Sequence, residues 1–365
     1  MKKRYKKRVV VSMSGGVDSS VATALLKHRG YDVIGVSMQI WDHSGQEDSG
    51  FGSCCSPDDI YHARAVADTL NIPFYVLNLE EEFRKNVVEH FVSEYIEGRT
   101  PNPCILCNQR LKFDILLRKT LELQGDYLAT GHHARVLWND SSGRYLLLKG
   151  VDSNKDQSYF LFTLKQEEMK RLIFPIGDLT KDNVRRIAKN FGLKVADKKE
   201  SQEICFIPDN DYRRFIAENM GAARCKSGNV VNKEGKILGR HKGIYMFTVG
   251  QRKGLGIPAS HPYYVLGFDL QNSAVIVGRD EDLLCGGLIA EKLNWILFPG
   301  LESEITVSLK IRYRYQEAKA TLIPQDNGNV LVRFHTPQKA VTPGQAVVFY
   351  DGNTVVGGGW IKEST

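Results

Sequence analysis

The stretch Ser14-Gly15-Gly16-Val17-Asp18-Ser19-Ser20 decides the fold of the first part of this chain. A β-branched run from Arg8 to Met13 precedes it, and apolar residues at helical spacing follow it, which predicts a strand, a tight loop and a helix. Glycines accept positive φ and let main-chain N–H groups approach a ligand, while Asp18, Ser19 and Ser20 are good helix-capping residues. Such a loop suits an anion such as phosphate.

This loop is not a Walker loop, because no Gly-Lys-Ser/Thr ending follows its glycines. An ordinary strand-to-helix corner, with glycine for geometry and serine for capping, is the alternative interpretation. The string itself resembles the pyrophosphate loop of the ATP pyrophosphatases, which activate an oxygen by adenylation. GMP synthetase, NAD synthetase, argininosuccinate synthetase and the tRNA thiolases belong to that superfamily.

Composition describes an ordinary globular protein of several domains. The chain has 365 residues and a formal net charge of +7, which permits a polyanionic partner without requiring one. No apolar run is long enough to cross a bilayer, so we expect a cytoplasmic protein with no membrane partner. The basic start, residues 1–8, leads directly into the glycine loop and is interpreted as a solvated arm instead of a signal peptide.

Strands and helices alternate through the first part of the chain, which predicts a parallel sheet with crossover helices, an α/β Rossmann-like fold. Near residue 208 the composition shifts to short glycine-punctuated strands. The predicted domains are 1–208, an α/β domain that carries the glycine loop, 209–280, a small β-rich central domain, and 281–365, a β-barrel.

The chain has seven cysteines, and an odd number argues against a secreted disulfide framework. Cys104 and Cys107 are predicted in the first turn of a helix, where the helix dipole lowers a thiol pKa. Their C-x-x-C spacing fits half a zinc site, a redox pair, or a nucleophile with a helper. Cys205 is the remaining candidate partner or a core residue. Cys54 and Cys55, on a polar loop, are interpreted as incidental or metal-sensitive, and no role is assigned to Cys225 or Cys285.

A cationic face is predicted near the end of the chain. Lys310, Arg312 and Arg314 alternate with apolar and aromatic residues, so a strand there presents its charges on one side. The face serves either RNA contact or a solvated sheet edge. A flexible basic loop is predicted around Gln251 to Gly256.

Seven motifs in one order along the chain resemble the family of bacterial tRNA-specific 2-thiouridylases. They are the glycine loop, Met38 to Trp41, Thr100 to Asn108, Ala129 to His132, Lys155 to Tyr159, Ser201 to Ile207 and Val249 to Gly256. The resemblance implies ATP-dependent 2-thiolation of the wobble uridine of tRNAs for glutamate, glutamine and lysine. It also implies a sulfur source, either a donor protein or inorganic sulfide.

The resemblance carries site residues over by position. ATP is expected on Ser12, Met13, Ser14, Gly15, Gly16, Val17, Asp18 and Ser19, with Met38 and Gly131 beside the adenosine. The target base is expected against Asn102, Pro103 and Cys104. Further tRNA contacts are expected at His132, Lys155, Asp156, Gln157, Arg312, Tyr313 and Gln345. Cys205 is expected to carry a persulfide and Cys107 to be the second thiol, with a disulfide between them after transfer.

Cys104 departs from the family pattern, in which many members have aspartate after Pro-Asn-Pro. A thiol is a poorer acid or base than a carboxyl group and a better metal ligand. Two mechanisms therefore stay open. Either Cys107 and Cys205 run a persulfide relay, or Cys104, Cys107 and Cys205 hold an iron–sulfur cluster with one open iron. In both, Mg²⁺ neutralises charge while pyrophosphate leaves.

Two other functions compete with thiolation. An adenylating enzyme of the same superfamily that delivers nitrogen to a metabolite requires ammonia or an amino acid and does not depend on Cys107 or Cys205. A non-catalytic RNA-binding protein releases no pyrophosphate from ATP.

Overall fold

The computed structural model of the protein describes residues 6–41, 56–198, 204–207, 209–221, 226–258 and 261–365. Predictions for the N-terminal arm up to residue 5, for the loop up to residue 55 and for Cys54, Cys55 and Cys225 lie outside the described residues. The chain divides into two compact units. One contains residues 1–87, 104–210 and 353–355, and the other 88–103, 211–352 and 356–365. Among the described residues, none of the helices is long and apolar enough to span a membrane.

The first unit is an α/β fold. Its strands are β1 (Arg8–Ser12), β2 (Asp32–Gln39), β3 (Phe74–Asn78), β4 (Tyr127–Thr130), β5 (Ala134–Asn139), β6 (Arg144–Lys149) and β7 (Leu172–Ile173). Five of them form a parallel sheet in the order β3-β2-β1-β4-β7. Val9, Val10 and Val11 of β1 are fully buried, as expected for a central parallel strand. β5 and β6 form an antiparallel hairpin that the sequence analysis missed.

The described α-helices are distributed over both units. They are α1 (Val17–His28), α2 (Pro57–Thr69), α3 (Glu80–Phe83), α4 (Glu89–Ile96), α5 (Pro103–Leu106), α6 (Leu117–Glu122), α7 (Gln166–Met169), α8 (Lys181–Asn190) and α9 (Tyr212–Asn219). Residues Arg84–Val88 and Cys107–Leu116 are π-helical and join α3 to α4 and α5 to α6. The predicted helices at 80–97 and 104–123 are therefore each continuous, but part of each is π-helical instead of α-helical.

The second unit contains two β-structures. The first has strands β8 (Gly228–Asn232), β9 (Ile237–His241), β10 (Tyr264–Asp269) and β11 (Ala274–Gly278), in the order β10-β11-β8-β9. The second has strands β12 (Leu284–Trp295), β13 (Ile305–Lys310), β14 (Ala318–Pro324), β15 (Val330–Lys339), β16 (Ala346–Asp351) and β17 (Thr354–Ser364). Their order is β12-β15-β14-β13-β16-β17, and pairing of β12 with β17 closes a six-stranded barrel. This confirms the predicted fold class.

The predicted cationic strand face was wrong. β13 ends at Lys310, and residues 311–315 form bends and a turn, so Arg312 and Arg314 do not alternate along a strand. The Arg312 guanidinium instead lies 4.4 Å from the centre of the Tyr315 ring and donates to the Lys339 carbonyl at 3.3 Å. Lys310 is largely covered, with 17% of its side chain exposed.

Candidate active site

The glycine loop joins β1 to α1 and leaves the start of α1 without a side-chain cap. Gly15 has φ of +69°, whereas Gly16 is extended at φ −91° and is itself the N-cap residue. Ser19 and Ser20 do not cap the helix as predicted, because their hydroxyls donate to the Gly16 carbonyl at 3.2 and 2.8 Å. The first-turn N–H groups of α1 are consequently available to an anion.

Asp18, in the first turn of α1, is held by two side chains from distant parts of the first unit. The Lys181 ammonium donates to both carboxylate oxygens at 2.8 and 2.7 Å, and His133 Nε2 lies 3.4 Å from Oδ1. Burial raises the pKa of Asp18, but the His133 hydrogen bond and the Lys181 charge outweigh it, and the pKa falls below its ordinary value. Asp18 is therefore ionised at neutral pH and its charge is matched locally.

The residues predicted to bind ATP line the carboxyl edge of the sheet, where open α/β folds bind ligands. Gly131, at the end of β4, lies so close to α1 that a Cβ there would be 2.5 Å from the Ser19 nitrogen. The remaining apolar members of the predicted set are buried. They are Met13 at 1%, Val17 at 3% and Met38 at 4% exposure. Met38 lies near the end of β2. Its contact with adenine stays a prediction.

His132 and His133 follow β4 and are both buried. The Thr130 hydroxyl lies 2.6 Å from His132 Nδ1. Burial, followed by the charge of Lys112, holds the pKa of His132 well below its usual range, so the ring is neutral at neutral pH. With Phe113 and Phe174 against its ring, His132 is placed as an interior group.

The segment predicted to contact tRNA near Lys155 is anchored to the end of β4. Gln157 exchanges hydrogen bonds with the His133 backbone, accepting from its N–H at 2.9 Å and donating its own N–H to the His133 carbonyl at 2.9 Å. Asp156 is buried and accepts from the Gly150 N–H and from Ser158. Lys155 and Gln157 are half-buried.

Cys107 begins the π-helical segment that follows α5, three residues after the exposed Cys104. Burial raises the pKa of the Cys107 thiol, although the nearby Lys112 charge opposes the rise. The predicted lowering by the helix dipole was therefore wrong. Removal of the thiol from water outweighs the favourable dipole, because a thiolate loses its solvation there.

Cys205 lies in a short turn, where the Ile207 N–H donates to the Ile204 carbonyl at 3.0 Å. The neighbouring Phe206 ring packs 5.5 Å from Phe83 of α3 and stacks 6.4 Å from Trp41, just beyond β2. α3 also contacts the π-helical segment that carries Cys107. The Cys107 and Cys205 segments therefore both pack against α3.

The three cysteines do not assemble a metal site in the part of the chain that is described. Cys104, Cys107, Cys205 and Cys285 are not in disulfide bonds. Among the described residues there is no group of three or more His, Cys, Asp or Glu side chains arranged to hold a metal ion. The cysteine set therefore does not fit an iron–sulfur cluster in this conformation, and we derive no step through one.

The other predicted tRNA residues belong to the second unit. Gln345 donates its side-chain amide to the Thr100 carbonyl at 2.8 Å, and the Thr100 N–H donates to the Pro343 carbonyl at 2.9 Å. Asn102, Arg312 and Tyr313 are half-buried, and Pro103 is buried. The contacts of these residues with tRNA stay predictions.

Sequence reasoning missed Lys181, Lys198 and Lys112. Lys181 carried a signal, because a lysine at the first position of a helix opposes the helix dipole and needs a compensating charge. No pattern in a single sequence marks Lys198 or Lys112 as part of the site.

Comparison with known proteins supplies the family. Residues 7–209 match the family described as tRNA methyl transferase HUP domain, residues 213–279 its PRC-barrel domain, and residues 285–361 the aminomethyltransferase beta-barrel domain. A tRNA-specific 2-thiouridylase MnmA of Geotalea uraniireducens is 55% identical over 100% of this chain and 97% of its own. The MnmA of Geobacter metallireducens is 53% identical over 99% of this chain and 98% of its own.

Among solved structures, a 4-thiouridine synthetase–RNA complex with bound ATP covers 58% of this chain and 50% of its own, with 17% identity and a TM-score of 0.37. The full-length relatives, at about half identity or more, decide the assignment. This chain belongs to the family of tRNA-specific 2-thiouridylases.

Proposed function

We propose that this protein transfers sulfur to carbon 2 of the wobble uridine of tRNA in an ATP-dependent reaction. One observation carries the mechanism: the unit that holds the glycine loop, with its uncapped helix start, also holds α3, which contacts both the Cys205 turn and the segment that begins at Cys107. We infer that phosphate binding and sulfur chemistry act on the same atom of the substrate. The full-length identity to named 2-thiouridylases supports the substrate.

Activation comes first, because the C2 oxygen of uridine is a poor leaving group. The oxygen attacks the α-phosphorus of ATP, the bond to the β-phosphate breaks, and pyrophosphate departs towards the loop of Ser14 to Ser19. The first-turn N–H groups of α1 and its helix dipole offset the charge of the leaving group. Mg²⁺ supplies further charge neutralisation and would enter with the nucleotide, whose own phosphates give it oxygen ligands.

Sulfur transfer follows through the two thiols. A donor protein that carries a persulfide passes its outer sulfur to the Cys205 thiolate and leaves as a thiol. Inorganic sulfide is already hydrosulfide and would instead enter at the later step on C2. The Cys107 thiolate attacks the inner sulfur of the Cys205 persulfide, which forms a Cys107–Cys205 disulfide and releases hydrosulfide. Hydrosulfide adds to C2 and AMP leaves with the original oxygen. An external dithiol then reduces the disulfide by two electrons and resets the enzyme.

Binding of tRNA requires the wobble base to leave the anticodon stack, as enzymes acting on bases generally demand. We assign the everted base to Asn102, Pro103 and Cys104. Further contacts are assigned to His132, Lys155, Asp156, Gln157, Arg312, Tyr313 and Gln345. The three-domain division at 208 and 280, the isoacceptors for glutamate, glutamine and lysine, and a cytoplasmic location belong to the same proposal.

The test combines the protein with ATP, Mg²⁺, a sulfur donor and unmodified tRNA, followed by mass analysis of the digested nucleosides. We expect 2-thiouridine, with one pyrophosphate released for each sulfur incorporated. A methylated nucleoside in its place would assign the methyl transfer named in the family descriptions. Pyrophosphate release that needs ammonia or an amino acid, or none at all, would favour the competing functions and defeat this one.

A further inference from the structure

Lys198 makes three contacts at the outer side of the glycine loop, in the first unit. Its ammonium donates to the Gly15 carbonyl at 3.2 Å, to Asp59 Oδ1 at 2.6 Å and to His62 Nδ1 at 3.0 Å. A lysine ammonium has three protons, so these contacts use its full donor capacity. Lys198 therefore ties the loop to the first turns of α2.

The loop is pressed against α2 at the same point. A Cβ on Gly15 would lie 2.1 Å from the Asp59 carbonyl oxygen, and the φ of +69° already favours glycine there. Gly15 thus contacts α2, and the next residue, Gly16, is the N-cap of α1. The peptide between them therefore joins the residue packed on α2 to the start of α1. The orientation of that peptide plane sets which way its two polar groups point.

A trans peptide unit is planar, and its C=O and N–H point in opposite directions. With the Gly15 carbonyl fixed on Lys198, the Gly16 N–H is turned away from Lys198. Gly16 is the N-cap of α1, so this N–H belongs to the same set of free amides that begins the helix. Lys198 thus fixes the orientation of one donor in an anion-binding row without being part of that row.

The Asp59 carboxylate, which accepts from Lys198, is itself held in place. This carboxylate is 7% exposed, and it accepts from the Ser56 N–H at 3.3 Å in the capping box of α2. Lys198, with 28% of its side chain exposed, supplies the matching charge. The Lys198 ammonium is therefore fixed by a buried carboxylate while it holds the Gly15 carbonyl.

We propose that Lys198 is a positioning residue for the polyphosphate of the nucleotide, acting through the Gly15–Gly16 peptide. This rests on the proposed function, in which the loop receives the pyrophosphate of ATP. Lys198 preorganises the loop before the nucleotide arrives, so its loss weakens ATP binding. The cysteines and the binding of tRNA are not altered directly.

The experiment measures the affinity of a non-hydrolysable ATP analogue by calorimetry, and the KM for ATP and kcat of thiolation. We expect Lys198→Met to weaken analogue binding and raise the KM by about tenfold or more, the scale of one lost charged hydrogen bond. The kcat at saturating ATP should fall much less. Lys198→Arg should recover part of the affinity, and the matched surface variant Lys189→Met, at an exposed ion pair, should match the wild type.

A second variant separates positioning from charge balance. Lys198→Met alone leaves the Asp59 carboxylate without this cation, whereas Asp59→Asn with Lys198→Met removes both charges and keeps an oxygen acceptor for the α2 cap. We expect the double variant to regain thermal stability and still to bind the analogue weakly. Recovery of analogue affinity in the double variant, or wild-type affinity in Lys198→Met, would overturn the proposal. Failure of the wild type to make 2-thiouridine would instead defeat the proposed function, since analogue affinity is measured without tRNA.

Discussion

Single thiols carry the proposed sulfur transfer, and each has a distinct expected phenotype. Cys107→Ser and Cys205→Ser should both reduce 2-thiouridine formation to background, because serine neither holds a persulfide nor attacks one. Pyrophosphate release in a single turnover should survive in both, since adenylation precedes the thiol steps. Nucleoside analysis and a pyrophosphate assay on the same samples measure the two steps separately.

Cys285 is the matched control for those variants. It is half-buried in the barrel, with its thiol 3.4 Å from the Gln338 carbonyl, and no role is proposed for it. Cys285→Ser should thiolate tRNA at the wild-type rate. Normal thiolation by Cys107→Ser or Cys205→Ser would remove that cysteine from the relay.

The pair of Asp18 and Lys181 gives a second residue-scale prediction, in stability. Lys181→Met should lower the free energy of unfolding by about 1–3 kcal/mol, because a partly buried carboxylate loses its cation but keeps its contact with His133. Asp18→Asn combined with Lys181→Met should regain most of that loss. Urea unfolding at neutral pH measures both, with Lys119→Met as a surface control expected within about 0.5 kcal/mol of the wild type.

The pH dependence of the same pair has a definite sign. The native pKa of Asp18 lies below its ordinary value of 3.8, so its stabilising contribution is present above that value and is lost as the pH falls through the native pKa. Lys181→Met removes a cause of the lowering, so the acid loss from Asp18 should move to higher pH. An unchanged acid limb in Lys181→Met unfolding curves would contradict this account.

At the scale of elements, the segment before Cys104 is docked on a barrel loop of the second unit. Gly344 has φ of +88°, and a Cβ there would lie 2.9 Å from the Thr100 nitrogen. Gln345 closes the contact through its amide on the Thr100 carbonyl. The loop therefore sets the path of Thr100-Pro101-Asn102-Pro103, which is proposed to face the target base.

Gln345→Leu tests that docking in the free protein. Loss of the amide should raise hydrogen exchange at the Thr100 N–H severalfold, on the scale of about 1 kcal/mol for one hydrogen bond. Exposed Gln316→Leu in the same unit should leave that exchange rate unchanged. Because no tRNA is present, faster exchange reports docking, and an unchanged rate would restrict Gln345 to its predicted tRNA contact.

Local signals allowed several elements to be predicted from sequence. The strand, loop and helix around Gly15 follow from apolar periodicity and paired glycines, and the Ser56 capping box marks the start of α2 as observed. Lys181 meets Asp18 across 163 residues of chain, a contact that no local pattern encodes. The Cys107 pKa failed for a related reason, since the dipole is readable from sequence and the depth of burial is not.

At the scale of the whole molecule, the net charge of +7 should make tRNA binding depend on salt. Each phosphate contact contributes about 0.7 to 0.9 to the slope of log Kd against log salt concentration. If the Arg312 guanidinium, ordered on Tyr315, contacts one phosphate, Arg312→Gln should reduce that slope by just under one. Titration of unmodified tRNA at several salt concentrations measures it.

Arg333→Gln provides the comparison, because it removes one charge from an exposed position on β15 of the same barrel. A specific phosphate contact predicts a slope change for Arg312→Gln and little for Arg333→Gln. Equal changes in both variants would mean that the general positive field attracts tRNA and that Arg312 has no phosphate of its own. Only a localised contact lets the second unit fix the register of the anticodon, so the outcome decides whether the barrel positions tRNA or merely attracts it.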